Sequence, residues 1–117
     1  MNILDNLTNE AKFLLTSMYD VYLKKRKNKV IRKDAMFFGN LEDIHSSIMP
    51  KWQIEDVKSV CLELKKHKFI SGTQASNTIL FITLTTEAIA SLEITFGDRA
   101  NNILEFLAKI KNAIPFA

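Results

Sequence analysis

Two short apolar runs, Phe69-Ile70 and Ile79 to Leu84, flank a loop from Ser71 to Thr78 with no hydrophobic side chain larger than Ala75. Apolar runs on either side of a polar loop form a β-hairpin. A lone hairpin is marginally stable in water, so this chain has to supply a surface for it to pack on. In the second run Ile79, Phe81 and Thr83 alternate with Leu80, Ile82 and Leu84, so the strand is apolar on both faces and is expected to be covered on each side. The pairing expected is residues 68 to 72 antiparallel to 78 to 84.

The rest of the chain reads as helices. Thr8 can cap a first helix, with Glu10 in its first turn and Ala11, Leu14, Leu15, Met18 and Val21/Tyr22 at helical spacing. Residues 30 to 39, "VIRKDAMFFG", read as extended or irregular, with Val30 and Ile31 adding at most an edge strand. Asn40 caps a second helix carrying Leu41, Ile44 and Ile48, which Pro50 stops. After the brief turn "PKW", Ile54, Val57, Val60/Cys61 and Leu64 mark a third helix running to about His67. Thr85 or Thr86 then caps "EAIASLEITF". Gly97-Asp98 punctuates before a last helix, "RANNILEFLAKIKNAI", which Pro115 closes.

Two helices joined by a turn of three or four residues have the shape of a helix-turn-helix. With only two strands the chain cannot build a sandwich, so the hairpin is expected to lie beside the third helix as a wing. The fold class expected is therefore α+β and mainly helical: a three-helix core plus a two-stranded wing, with additional C-terminal helices. Residues 1–97 would form that domain, and residues 98–117 a C-terminal helix packing on it or mediating dimerisation.

Seven positive charges fall between residues 24 and 33 (Lys24, Lys25, Arg26, Lys27, Lys29, Arg32 and Lys33), and the remainder of the chain is net acidic. A run of like charges this dense repels itself, and a polyanion relieves that cost. It is therefore read as a phosphate-contacting patch, set against the plainer reading of a solvated helix end. Cys61 is the only cysteine, so no intrachain disulfide can form; no signal-type or membrane-spanning apolar stretch occurs, and a cytoplasmic setting is expected. His45, His67 and Cys61 lack metal-like spacing, three glycines can hardly build a phosphate loop, and the carboxylates are scattered. No enzyme, cofactor or metal site is expected.

The stretch "VKSVCLELKKHKFISG…ILFITLTTEAIASLE" resembles the winged helix-turn-helix superfamily, with its basic-ended recognition helix, "Phe-Ile" strand opening, wing, and "Leu-Thr" start of a further helix. Small phage-type and YjcQ-like winged-helix proteins share the "LT..A...L" exit, and MarR- and PadR-like regulators have relatives of it. The resemblance covers roughly residues 8 to 95. It implies double-stranded DNA as partner, with Lys51, Gln53, Lys58, Ser59 and Leu62 on the recognition helix and Thr73, Gln74, Ser76 and Asn77 in the wing as contacts. The function it implies is a bacterial or phage-type transcriptional regulator. Glu55 and Asp56 put negative charge on that helix, which keeps open a second use of the same scaffold, as a protein–protein adaptor or inhibitor.

The last helix carries more apolar surface than one face needs. Ile103, Phe106, Leu107, Ile110 and Ile114 form a stripe, flanked by Leu104 and Ala108 and followed by Phe116. It can cover the first helix of its own chain or pair with a second copy in a homodimer. Trp52 and the Phe37-Phe38 pair are read as core plugs rather than as an exposed patch.

Overall fold

A computed structural model describes residues 3–115; Phe116, expected above to widen the last apolar stripe, lies outside the described residues. After a 3-10 turn at Ile3–Asn6 come α1 (Asn9–Lys27), α2 (Arg32–Met36), β1 (Phe37–Gly39), α3 (Leu41–Ser47), α4 (Ile54–Lys66), β2 (Ile70–Ala75), β3 (Thr78–Leu84), α5 (Thr86–Phe96) and α6 (Ala100–Lys111). The fold is α+β and mainly helical, with one antiparallel sheet of order β1-β3-β2.

The long helix α1 is the centre of the core. Its start is fixed by Thr8, whose hydroxyl accepts the Ala11 N–H at 3.2 Å, and its lysine-rich end suits the macrodipole. Ala11, Leu14, Leu15, Met18 and Tyr19 are wholly buried, because α2, α4, α5 and α6 all pack around this one rod. From α4 come Val57, Val60, Cys61 and Leu64, and from the sheet Ile70, Ile79, Ile82 and Leu84. Trp52 is buried and stacks on Phe13, with ring centroids 6.0 Å apart, as expected of a core plug.

Residues 30 to 39 depart from the extended reading. Arg32–Met36 is a short helix, and the edge strand is Phe37–Gly39 rather than Val30-Ile31. The sheet therefore has three strands instead of two, β1 pairing antiparallel with β3 through Phe37 opposite Thr83. The connection between α3 and α4 is also longer than three or four residues, spanning Ile48 to Gln53, and it is braced by a 2.7 Å bond between His45 Nε2 and the Trp52 carbonyl. The last helix stops at Lys111, short of the proline.

The hairpin is antiparallel as expected, but β2 starts at Ile70 rather than residue 68 and runs on to Ala75, which faces Thr78 across a turn of only Ser76 and Asn77. Thr73 and Gln74 thus belong to β2 and not to a loop. The simple alternation expected in β3 is broken. Ser71 faces Thr83 but Thr73 faces Leu80, so β3 carries one residue more than β2 over this interval, a β-bulge. Phe81 sits in it with φ at +57°, and Ile79 and Ile82 consequently both point inward although they are three apart. Gly72 lies opposite because a β-carbon there would come within 2.9 Å of Ile79 Cγ2.

The expectation that β3 is covered on both faces does not hold. Helices α3 and α4 pack against one face of the sheet, where Ile70, Ile79, Ile82 and Leu84 are buried. The other face presents Ser71, Thr73, Phe37 and Phe81 to solvent, and the Phe81 side chain is 64% exposed.

Candidate nucleic-acid interface

Helix α4 can be divided by its spacing. Val57, Val60, Cys61 and Leu64 face inward, so the outward stripe is Glu55, Ser59, Leu62 and Lys66. Lys58 and Lys65 fall on one flank of that stripe, Asp56 and Glu63 on the other. The acidic flank has an internal partner: Glu63 Oε2 accepts the Thr8 N–H at 2.9 Å and Oε1 accepts the Thr8 hydroxyl at 2.7 Å. The basic flank looks toward the hairpin, since Lys65 lines a shallow hollow with Lys68, Ser71 and Gly72. Glu55 and Asp56 stay exposed in the first turn, where they suit the helix dipole.

Of the residues expected to read a duplex, Gln53 is the exposed residue preceding α4 and Ser59 is exposed six residues further along; Lys51 is exposed in the preceding turn, while Lys58 and Leu62 are half-buried. Thr73 and Gln74 lie exposed along β2, and Ser76 and Asn77 form the exposed tip, Ser76 with φ at +47°. The structure thus brings Lys58, Ser59 and Leu62 onto α4, with Gln53 at its N-cap and Lys51 in the turn before it, and gathers Thr73, Gln74, Ser76 and Asn77 on the hairpin.

The basic patch is spread over the end of α1 and into α2. Lys24 pairs with Asp20 at 2.9 Å, a solvated contact of little energetic weight. Lys25 turns the other way: its ammonium donates to the Phe37 carbonyl at 3.2 Å and stands 4.5 Å from the centre of the Phe38 ring. Partial burial lowers its pKa. Arg26 donates to the Val30 carbonyl at 3.1 Å, closing the end of the helix, and Lys27, Lys29, Arg32 and Lys33 are exposed. The aromatic pair divides between two roles: Phe38 is partly buried under Lys25, but Phe37, read above as core, is 45% exposed. A basic end of helix docked onto an aromatic strand could have been suspected from the sequence only if β1 had been placed correctly.

Helix α6 lies along α1, with Ile103 buried and Phe106, Leu107 and Ile110 partly buried against the same core, and Ile114 in the turn after the helix is buried as well. Phe106 meets the Phe96 ring edge-on at 5.1 Å. What this stripe leaves in the open is Leu104, 55% exposed.

Cys61 is buried, and burial pushes its thiol up to about 12, so at neutral pH it is a protonated core side chain. Among the described residues no three His, Cys, Asp or Glu side chains stand together as a metal cage, and no helix is long and apolar enough to cross a membrane. No protein-family model, no curated protein and no solved structure matches this chain.

Proposed function

We propose that this chain is a winged helix-turn-helix protein that binds double-stranded DNA without catalysis, as a transcriptional regulator of bacterial or phage type acting in the cytoplasm. The observation that carries the reading is the order α3, turn, α4, hairpin, with Gln53 exposed at the start of α4, Ser59 exposed on it and Lys65 of α4 turned toward β2. The helix would read base edges in the major groove, the hairpin would rest on the backbone, and the patch at residues 24 to 33 would add charge attraction that does not depend on sequence.

The test is duplex binding across a salt series. Neutralising Lys24, Lys25, Arg26 and Lys27 together is expected to weaken binding to every duplex and flatten its salt dependence. Changing Gln53 or Ser59 to Ala is expected to alter sequence preference instead, by about 1–3 kcal/mol for a residue that reads a base. A patch variant that binds as tightly as wild type at all salt concentrations removes the electrostatic role. The exposed Glu55 and Asp56 favour a second reading, a protein-binding adaptor on the same scaffold, and absence of duplex binding even at low salt would select it. A homodimer through α6 would have to form around Leu104, and sedimentation at high micromolar concentration reads it directly.

A further inference from the structure

The uncovered face of the sheet is not a polar solvent face. Phe37, Thr83 and Ser71 form a row across β1, β3 and β2, and Phe81 lies beside that row on β3. Phe37 and Phe81 are 45% and 64% exposed, while helices α3 and α4 occupy the opposite side of the sheet.

Phe81 is held there by its backbone. A bulky residue with φ at +57° is uncommon and strained. Two side chains fasten the bulge: Asn40 Oδ1 accepts the Phe81 N–H at 3.4 Å, and the Thr83 hydroxyl donates to the Phe81 carbonyl at 3.2 Å. A sheet that only had to cover a core would gain from a polar or small residue at this place.

Cations stand at both ends of the row. At the β1 edge Lys25 is fixed on the Phe37 carbonyl, and Arg32 and Lys33, with Asp34 beside them, lie on the short helix α2 that leads into Phe37. At the β2 edge Lys65 and Lys68 line the hollow that includes Ser71, together with a single acid, Glu87. Two strand spacings, about 10 Å, separate the edges. Aromatic faces between two banks of positive charge complement a chain that alternates phosphates with flat, unpaired bases.

From this we infer that the open sheet face is a binding site for single-stranded nucleic acid, with bases stacked on Phe81 and Phe37 and phosphates held by Lys25 on one side and Lys65 and Lys68 on the other. Duplex bases are already stacked on one another and do not offer their faces, so the stacking on Phe81 and Phe37 is separate from the base contacts proposed for Gln53 and Ser59, while Lys25 serves both readings as a phosphate contact. Stacking on an aromatic tolerates any base, so the site has little sequence preference.

The experiment is fluorescence anisotropy of labelled oligothymidylate of about twelve nucleotides, a length typical of such sites, beside an unrelated duplex, at low salt. Wild type is expected to bind the single strand, Phe81→Ala and Phe37→Ala each to weaken it about ten-fold, and Phe81→Tyr to restore it, while Gln53→Ala leaves it unchanged. No binding of the single strand by wild type, or binding by both alanine variants as tight as that of wild type, overturns the inference. Photo-crosslinking of a bromouridine-substituted strand to the wild-type protein gives an answer independent of variant folding: adducts on residues 37–39 or 79–83 support the site, and adducts confined to α4 overturn it. The duplex arm keeps the two readings apart, since loss of duplex binding alone leaves the single-strand site standing.

Discussion

Replacing Phe81 with glycine is expected to leave the stability of the protein within about 1 kcal/mol of wild type, although the residue is an aromatic in the central strand of the sheet. The left-handed backbone at Phe81 costs an L-residue roughly 1–2 kcal/mol, which glycine relieves. Against this, glycine forfeits about 0.5–1 kcal/mol through the greater freedom of the unfolded chain. The ring is 64% exposed, so only about a third of a full phenylalanine burial, roughly 0.5–1 kcal/mol, is given up. The terms nearly cancel. Phe69, 1% exposed and equally aromatic, is the control: Phe69→Ala is expected to lose about 3–5 kcal/mol. In urea denaturation, with a slope of about 2 kcal/mol per molar, Phe69→Ala would move the midpoint down by about 2 M and Phe81→Gly by about 0.5 M at most. A loss above about 2 kcal/mol for Phe81→Gly would refute the reasoning, because it would mean that the ring is packed or the backbone unstrained.

Two further outcomes follow from buried polar groups. Thr16 is wholly buried in α1 and its hydroxyl has no hydrogen-bond partner, so Thr16→Val, which keeps the shape, is expected to stabilise by about 1 kcal/mol in the same urea assay. The alkaline limb of stability should fall early. Tyr19 is raised to about 12 by burial and then by Glu93, Tyr22 and Asp98, and its hydroxyl donates to the Gly97 carbonyl at 2.6 Å, while burial alone raises Cys61 to a similar value. A raised acid means that the unfolded chain releases its proton first, so both contributions are complete below pH 9, the ordinary thiol value, and are lost between there and 12. Melting temperature followed from pH 7 to 11 is expected to drop for wild type and to drop less for Cys61→Ala measured against its own neutral value; parallel curves would count against the assignment.

Where the determinants are local, the sequence was sufficient. Thr8 and Thr85 cap the helices they precede, each accepting the N–H three residues on, and the inward stripe of α4 follows from spacing alone. The three-stranded sheet was not legible because its cues are remote. Phe37 belongs to a strand only through its pairing with Thr83, and the bulge at Phe81 depends on Gly72 across the hairpin and on Asn40, forty-one residues earlier. An alternating pattern contains no mark of an extra residue, so the outward turn of Phe81 could not be inferred from it. The candidate site divides in the same way. The lysine run was visible as charge, but the seating of Lys25 on Phe37 and Phe38 needed the strand. On α4 the charge of Glu55 and Asp56 is legible in the sequence and stays exposed, whereas the use of Glu63 to hold the start of α1 depends on a contact with Thr8 fifty-five residues away.

The central position of α1 has a consequence for synthesis on the ribosome. This helix emerges before the surfaces that shield it: Leu64 in α4, Leu92 in α5, and later still Ile103 and Ile114. A nascent chain stalled before residue 100 would carry Leu14, Leu15, Met18 and Tyr19 without α6 to close over them, and such a chain is a natural client for holding chaperones and proteases. The contact that completes this core is therefore non-local, and the native packing around α1 is reached only once α6 has cleared the exit tunnel.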